Sequence, residues 1–339
     1  MSEHPYILAI ESSCDETSAA VLIGTRVLSN CISSQIQHAQ FGGVVPEVAS
    51  RAHQSEIYRV VHQALLDADV NLNQLHAVAV TQGPGLVGSL LVGLTYAKSL
   101  SMALNIPLIS VNHMQAHIMA HFEDKDSSLP QFPFLNLTVS GGHTQLVLVH
   151  SPLQMEVIGE TIDDAAGEAF DKAAKVLGLE YPGGPQVDKF AKEGDATKYK
   201  FAEPKVKELD FSFSGLKTSL LYFLRDELKK DETFIQRELP HVCASYQHAI
   251  VSYLLKKVKM AIAKTAVTDV TLSGGVSANS ELRKQFLAWG ESQGIHVFIP
   301  PMALCTDNAA MIGLAAYYKY VAGDFASLEI IPLGRMPLN

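Results

Sequence analysis

The chain repeats its own pattern. Residues 6–10 read as a short apolar strand, followed by a small polar turn from Glu11 to Thr17 and a returning strand at 19–23. Later, residues 134–139, the turn Ser140-Gly141-Gly142-His143-Thr144 and residues 145–150 follow in the same order, with Thr144 in the place of Thr17. A second pair of segments matches as well. Residues 78–81 open into Gln82-Gly83-Pro84-Gly85 and a helix at 86–104; residues 270–272 open into Ser273-Gly274-Gly275 and a helix ending near Trp289. Two half-chains with one order of parts predict a duplicated α/β fold with two lobes around a cleft. In such units ligands sit at the carboxyl ends of the strands.

The remaining segments fit that frame. Gly24-Thr25 marks a tight turn into a third strand at 27–33, and a hairpin meander with a polar first turn is how ribonuclease-H-like domains begin. Residues 47–69 form an amphipathic helix, with Ile57, Val60, Val61, Ala64 and Leu65 at helical spacing. The charged, Pro-bounded stretch 123–131 reads as the domain linker. Residues 163–177 read as a helix bearing Glu168 and Asp171, Tyr181 to Pro185 as a rigid turn, and 211–228 and 234–265 as mainly helical.

Residues 107–111 read as a buried strand running into a helix that carries His113 and His117. Residues four apart share a helix face, with Cβ atoms about 5–6 Å apart, so two imidazoles there can share one metal ion. The spacing also resembles the zinc-protease pattern H-E-x-x-H, but Met114 stands where the general base would be. A third ligand must come from elsewhere, and Asp307 is the best candidate. Two plainer readings stay open: the histidines are hydrogen-bonded groups at a strand–helix junction, and Thr306 or Asp307 caps the helix running to Tyr320.

Bulk properties narrow the class. With 339 residues and 47% apolar content, the chain suggests about two globular domains. The N-terminus lacks a basic region followed by a long apolar run, and Thr95, Lys98, Ser99 and Ser101 interrupt the greasiest helix, at 88–104. Cys14, Cys31, Cys243 and Cys305 are scattered, which fits a reduced, cytoplasmic compartment and argues against a cysteine-zinc site. A net charge of −9 counts against strong unaided nucleic-acid binding. The basic stretches 198–207 and 256–264 read either as local basic surfaces or as solvated faces.

Three glycine turns after strands, at 82–85, 140–142 and 273–275, offer backbone amides to phosphate oxygens. Together they suggest a nucleotide cleft. P-loop, Rossmann and nucleophile-elbow motifs are absent from the sequence.

The motifs then carry a resemblance. IESSCDETS (10–18), GGVVPEVASRAH (42–53), TQGPGLVGSLLVG (81–93), NHMQAH (112–117), VSGGHTQL (139–146), DDAAGEAFDKAAKVLGL (163–179), YPGGP (181–185), FSFSGLKT (211–218), LSGGVSANSELR (272–283) and CTDNAAMIG (305–313) span nearly the whole chain. The chain resembles the TsaD/Kae/Qri family, once named glycoproteases, the tRNA adenosine threonylcarbamoyltransferases of the actin-like ATPase superfamily. The resemblance implies a duplicated ribonuclease-H-like (ASKHA) fold. One lobe would cover 1–125 completed by a helical segment at 307–339; the other, with a helical insertion, would cover 130–306. It implies His113, His117 and Asp307 as ligands of one divalent metal, iron favoured and zinc possible. It implies Thr138, Val139, Ser140, Gly141, Gly142, Asp171, Gly184, Asp188 and Asn279 as substrate contacts.

The implied reaction transfers threonylcarbamoyl from threonylcarbamoyl-AMP to the exocyclic amine of the adenosine 3′ of the anticodon, in tRNAs reading codons that begin with A, and releases AMP. Glu11 is a candidate proton acceptor. The implied partners are tRNA, a paralogous TsaB-like protein docking on the N-terminal domain, a TsaE-like small ATPase, and a TsaC-like synthase that makes the adenylate. That division of labour accommodates the acidic charge. The rivals are a superfamily small-molecule kinase, a metallopeptidase and a non-catalytic scaffold.

Overall fold

In a computed structural model the described residues are 4–35, 38, 41–124 and 128–338. Part of the expected linker, residues 125–127, lies outside them. The chain divides into two compact units, one of Met1–Leu129, Ser151–Met155 and Pro300–Asn339, the other of Pro130–His150 and Glu156–Ile299.

The first unit begins with β1 (Tyr6–Glu11), β2 (Glu16–Ile23) and β3 (Arg26–Ser34), then α1 (Pro46–Asp67), β4 (Ala77–Gly83), α2 (Val87–Leu104), β5 (Leu108–Asn112) and α3 (His113–Met119). Its sheet order is β3-β2-β1-β4-β5, antiparallel on the hairpin side and parallel from β1 through β4 to β5. Ile7, Leu8, Ala9 and Ile10 of β1 are all fully buried, as expected for a strand covered on both faces. On one face α1 packs with Ile57, Val60, Val61, Ala64 and Leu65, the stripe its periodicity predicts, beside Leu94 and Ala97 of α2. α2 meets the length and composition of a membrane span, which core helices also meet.

The second unit holds β6 (Phe134–Val139), β7 (Thr144–Ser151) up to His150, β8 (Gln154–Glu160) from Glu156, α4 (Ala166–Val176), α5 (Gly183–Ala191), α6 (Ser214–Leu228), α7 (Phe234–Thr265), β9 (Asp269–Ser273), α8 (Ser280–Gln293) and β10 (His296–Phe298). Its sheet order, β10-β9-β6-β7-β8, is the first sheet's order in the same sense: a central first strand, a hairpin partner on one side and two later parallel strands on the other. The duplication read from the sequence is therefore present strand for strand. Its core joins Leu135 and Leu137 of β6 to Phe170, Leu216, Leu220, Tyr246, Leu254 and Phe286 of the surrounding helices.

The chain then returns to the first unit with α9 (Ala309–Ala322), which packs against β1 and β2. A Cβ on Gly313 would lie 2.1 Å from Leu22 Cδ1, so this helix approaches the sheet closely because a glycine faces it.

Three sequence expectations are corrected. The expected turn at 181–185 is already helix from Gly183, because the Asp171 carboxylate accepts from Gly183 N at 2.8 Å and Gly184 N at 3.2 Å and so satisfies the first free amides. The helix expected from residue 211 starts at Ser214, because Phe211 bridges Thr161 and Asp163 accepts from the amides of Phe213 and Ser214. The third concerns the cap of α9 and belongs to the site.

Candidate metal centre and substrate region

α3 places the two histidines. Asn112 Oδ1 accepts from Met114 N at 2.9 Å and Gln115 N at 3.3 Å, which starts the helix at His113 and puts His117 one turn on. The two rings lie edge to face with centroids 4.7 Å apart. Both Nε2 atoms point at one oxygen: Asp307 Oδ1 is 3.1 Å from His117 Nε2 and 3.4 Å from His113 Nε2. The donor atoms of the three residues lie within 4.8 Å of one another.

Asp307 does not cap α9. The cap is Asn308, whose Oδ1 accepts from Met311 N at 3.0 Å, while its Nδ2 donates to Thr306 O at 2.8 Å. The capping expectation for Thr306 or Asp307 is thereby corrected. The neighbouring asparagine takes that task, which leaves the aspartate free to turn toward the histidines.

Behind His113 lies Glu11, fully buried at the end of β1. Its carboxylate accepts from Ser13 N, from Thr81 Oγ1 at 2.6 Å and from His113 Nδ1 at 3.0 Å. Burial pushes the Glu11 carboxyl up, but the charge and hydrogen bond of His113 outweigh it and hold it below the usual range. Burial likewise works against charge on His113, and Asp307 and Glu11 overcome it and raise the imidazole well above its ordinary value. Asp307 is held well below the carboxylate range, because His113 and His117 outweigh its burial. Glu11, His113 and Asp307 all have hydrogen-bond partners within this cluster. His117 Nδ1 is the exception, buried without a partner.

The trio fits a divalent metal. Two imidazole nitrogens and one carboxylate oxygen are the donor set of iron, zinc and manganese sites. Both histidines present the same ring atom to one point, and the carboxylate behind His113 completes the arrangement common around metal-bound imidazole.

The residues expected at the substrate lie together in the second unit. Ser140, Gly141 and Gly142 form the turn after β6, with Ser140 N donating to His143 O at 2.8 Å. α4 starts against that turn, since a Cβ on Gly167 would lie 2.5 Å from Ser140 O. Asp171, one turn along α4, holds the start of α5 through Gly183 and Gly184. Burial raises the Asp171 carboxyl, and those two amides counteract it only partly. Asp188 on α5 accepts from Ser280 Oγ at 2.7 Å, beside Asn279, which caps α8 through Leu282 N and donates to Gln247 Oε1 at 2.8 Å. Thr138 is buried in a ladder with Asn136 and Ser273. Val139 O lies 2.5 Å from where a Cβ on Gly274 would stand.

The three glycine turns are not equivalent. Gly141, Gly142 and Gly275 face open space. A Cβ on Gly83 would lie 2.1 Å from Leu333 O, and one on Gly85 would lie 2.6 Å from Ser13 O. The turn in the first unit is thus filled by the chain itself, which sequence spacing could not reveal. Half of the lysines in the basic stretches are engaged: Lys198 pairs with Glu238, Lys256 with Glu203 and Lys264 with Glu208, while Lys257 is buried against Val206 O and Glu208 O.

Fold and site together define a class: a duplicated actin-like ATPase fold carrying a two-histidine, one-aspartate cluster in its first unit. Solved structures share the fold. HypF of T. kodakarensis superposes with a TM-score of 0.60 at 14% identity, over 97% of this chain and 49% of that one. Component A of the Acidaminococcus fermentans (R)-2-hydroxyglutaryl-CoA dehydratase gives 0.55 at 14% identity, over 93% and 99%. The family model for tRNA N6-adenosine threonylcarbamoyltransferase, TsaD, matches residues 26–314, and the chain belongs to that family. Proteins of that name are 56% identical in Christiangramia forsetii, over 97% of each chain, and 52% identical in Porphyromonas gingivalis, over 99% of each. The kinase, peptidase and scaffold readings gain no support from these relatives.

Proposed function

We propose that this tRNA threonylcarbamoyltransferase takes its acyl group from threonylcarbamoyl-AMP, releases AMP, and depends on one divalent metal held by His113, His117 and Asp307, with iron favoured over zinc. The observation that carries the metal reading is the convergence of both Nε2 atoms on Asp307 Oδ1. A metal there supplies Lewis-acid stabilisation of charge on a phosphate or carbonyl oxygen, worth several kcal/mol at comparable centres.

The chain's own residues do the rest. Glu11 accepts a hydrogen bond from His113 Nδ1 and so aims the ring's Nε2 at Asp307, where a metal would be held. The open glycine faces at 141, 142 and 275 let a ligand approach backbone amides. Asp171, with Oδ1 engaged by two amides, turns its other oxygen to polar groups of the adenylate, and Asp188, Gly184 and Asn279 line the same region. Positioning the tRNA amine against the mixed anhydride supplies much of the acceleration.

The partners follow the same reading: tRNA, a TsaB-like paralogue, a TsaE-like ATPase and a TsaC-like synthase, in the cytoplasm. The outward sides of α1 and α2 carry exposed Tyr58, Leu66, Val87, Leu91 and Met102, which suits a paralogue docking on the first unit. The test is transfer of labelled threonine to unmodified tRNA with bicarbonate, ATP, the synthase and the partners, comparing wild type with His113→Ala. Label with wild type alone supports the proposal; label with both removes the histidines from it; label with neither, beside active partners, contradicts it.

A further inference from the structure

Residues 327–338 run as a strap across the first unit's glycine turn. Lys98 Nζ donates to Ile330 O at 2.5 Å, and Gln82 Nε2 donates to Ile331 O at 3.1 Å. Leu333 N donates to Gln82 O at 2.8 Å, and Gly85 N donates to Gly334 O at 3.4 Å. The strap ends at Asn112, whose Nδ2 donates to Pro337 O at 2.7 Å, and Leu338 is buried beyond it. The same Asn112 side chain, through Oδ1, accepts the amides of Met114 and Gln115 and caps the helix whose first residue is His113. One side chain therefore joins the strap to the helix of both histidines.

We propose that the strap belongs to the metal site: its docking on Asn112 positions the histidine helix, so that strap docking and metal binding strengthen each other. This rests on the metal reading above and adds a positioning residue, Asn112, to it. Two physical features make the link effective. Beside the hydrogen bonds just described, the strap packs Ile330 on the first unit's core and buries Leu338, while Leu328, Glu329, Gly334 and Arg335 between and beside these points are exposed. Segments held this way open locally at low free energy. α3 has seven residues, too few to be stable by itself, so its start depends on Asn112 being held. When the strap opens, Asn112 loses the partner that fixes its amide, and the ring nitrogens lose part of their preorganisation. Thermodynamic linkage then requires the strap and the metal to change each other's equilibrium by one shared factor.

Two variants of the full chain test this. Asn112→Ser keeps a neutral, cap-competent hydroxyl but removes the amide that reaches Pro337 O. Lys98→Ala removes the donor to Ile330 O and loosens the strap from α2, at a residue that neither pairs with Asn112 nor belongs to α3. Two readouts are taken on each: Zn(II) affinity by competition with a chromophoric chelator, and the rate of tryptic cleavage after Arg335 with and without Zn(II). Thermal melting checks that both variants fold. The expected result is that Zn(II) slows cleavage of wild type about 3–10-fold, the range of one hydrogen bond's net contribution. Both variants lose that protection and bind Zn(II) more weakly by a similar factor. Lys98→Ala with fast cleavage and wild-type Zn(II) affinity overturns the proposal. Failure of wild type itself to bind Zn(II) or Fe(II) stoichiometrically overturns the metal reading instead. A misfolded variant is replaced by Gln82→Ala, which removes the donor to Ile331 O and is judged by the same two readouts.

Discussion

Glu11 Oε2 lies 3.0 Å from His113 Nδ1, behind the cluster of His113, His117 and Asp307, with Thr81 Oγ1 at 2.6 Å from the same oxygen. A carboxylate in that position fixes which imidazole nitrogen carries the proton and how the ring is aimed. Groups that act this way on metal-bound histidine change affinity by roughly 10–100-fold when removed. Glu11→Ala is expected to weaken metal binding by that much, measured by chelator competition. Lost transfer at unchanged metal affinity would instead make Glu11 a group that acts on the reaction itself, such as a proton acceptor.

The start of α9 divides two tasks between adjacent residues. Asn308 caps the helix and Asp307 faces the histidines. Asn308→Ala is expected to destabilise the protein by about 1 kcal/mol, the usual worth of an N-cap, read as a lower denaturation midpoint. An unchanged midpoint would mean that burial of α9 alone fixes its start.

Asp163 joins two motifs that are far apart in the chain. Its carboxylate accepts from Ser212 Oγ at 2.5 Å, Phe213 N at 2.8 Å and Ser214 Oγ at 2.7 Å, and so fixes the start of α6. Hydrogen bonds to a charged group contribute roughly 1.5–3 kcal/mol each, and some of that is regained from water when the partners are exposed. Asp163→Ala should lower stability by about 2 kcal/mol in urea titration. A change within a few tenths would show that the packing of Phe211 and Phe213 suffices.

Glu238 supplies a pH dependence. Hydrogen bonds from Lys198, Tyr199 and Arg237 hold its carboxyl at about 2, below the ordinary 4.5. A depressed carboxyl stabilises the fold above its unfolded value and loses that contribution as the pH falls from 4.5 toward 2. Glu238→Gln should therefore be less stable than wild type at pH 6, with the difference shrinking steadily below pH 4.5. A difference independent of pH would show that the interaction is not ionic.

Much of the fold was legible because strand and helix periods differ. The repeated strand–turn–strand units and the helix Phe234–Thr265 come out where the pattern puts them. β8 did not, because Gln154-Met155-Glu156-Val157-Ile158-Gly159-Glu160 alternates poorly and lies at a sheet edge. The histidine pair was legible from its spacing. Its third member was not decided by spacing, since Thr306, Asp307 and Asn308 can all cap a helix; the choice depends on contacts across 190 residues. The bond from Glu11 to His113 spans 102 residues and leaves no local signal. The filling of the first glycine turn by the strap is equally long-range.

The most direct test of the central claim is transfer of labelled threonine to unmodified tRNA by chelator-stripped protein, with and without added metal, beside Asp307→Ala. We predict that stripping abolishes transfer, that one equivalent of Fe(II) or Zn(II) per chain restores it in wild type, and that neither ion restores it in the variant. Full transfer by the stripped protein, or by Asp307→Ala, would contradict a metal held by His113, His117 and Asp307.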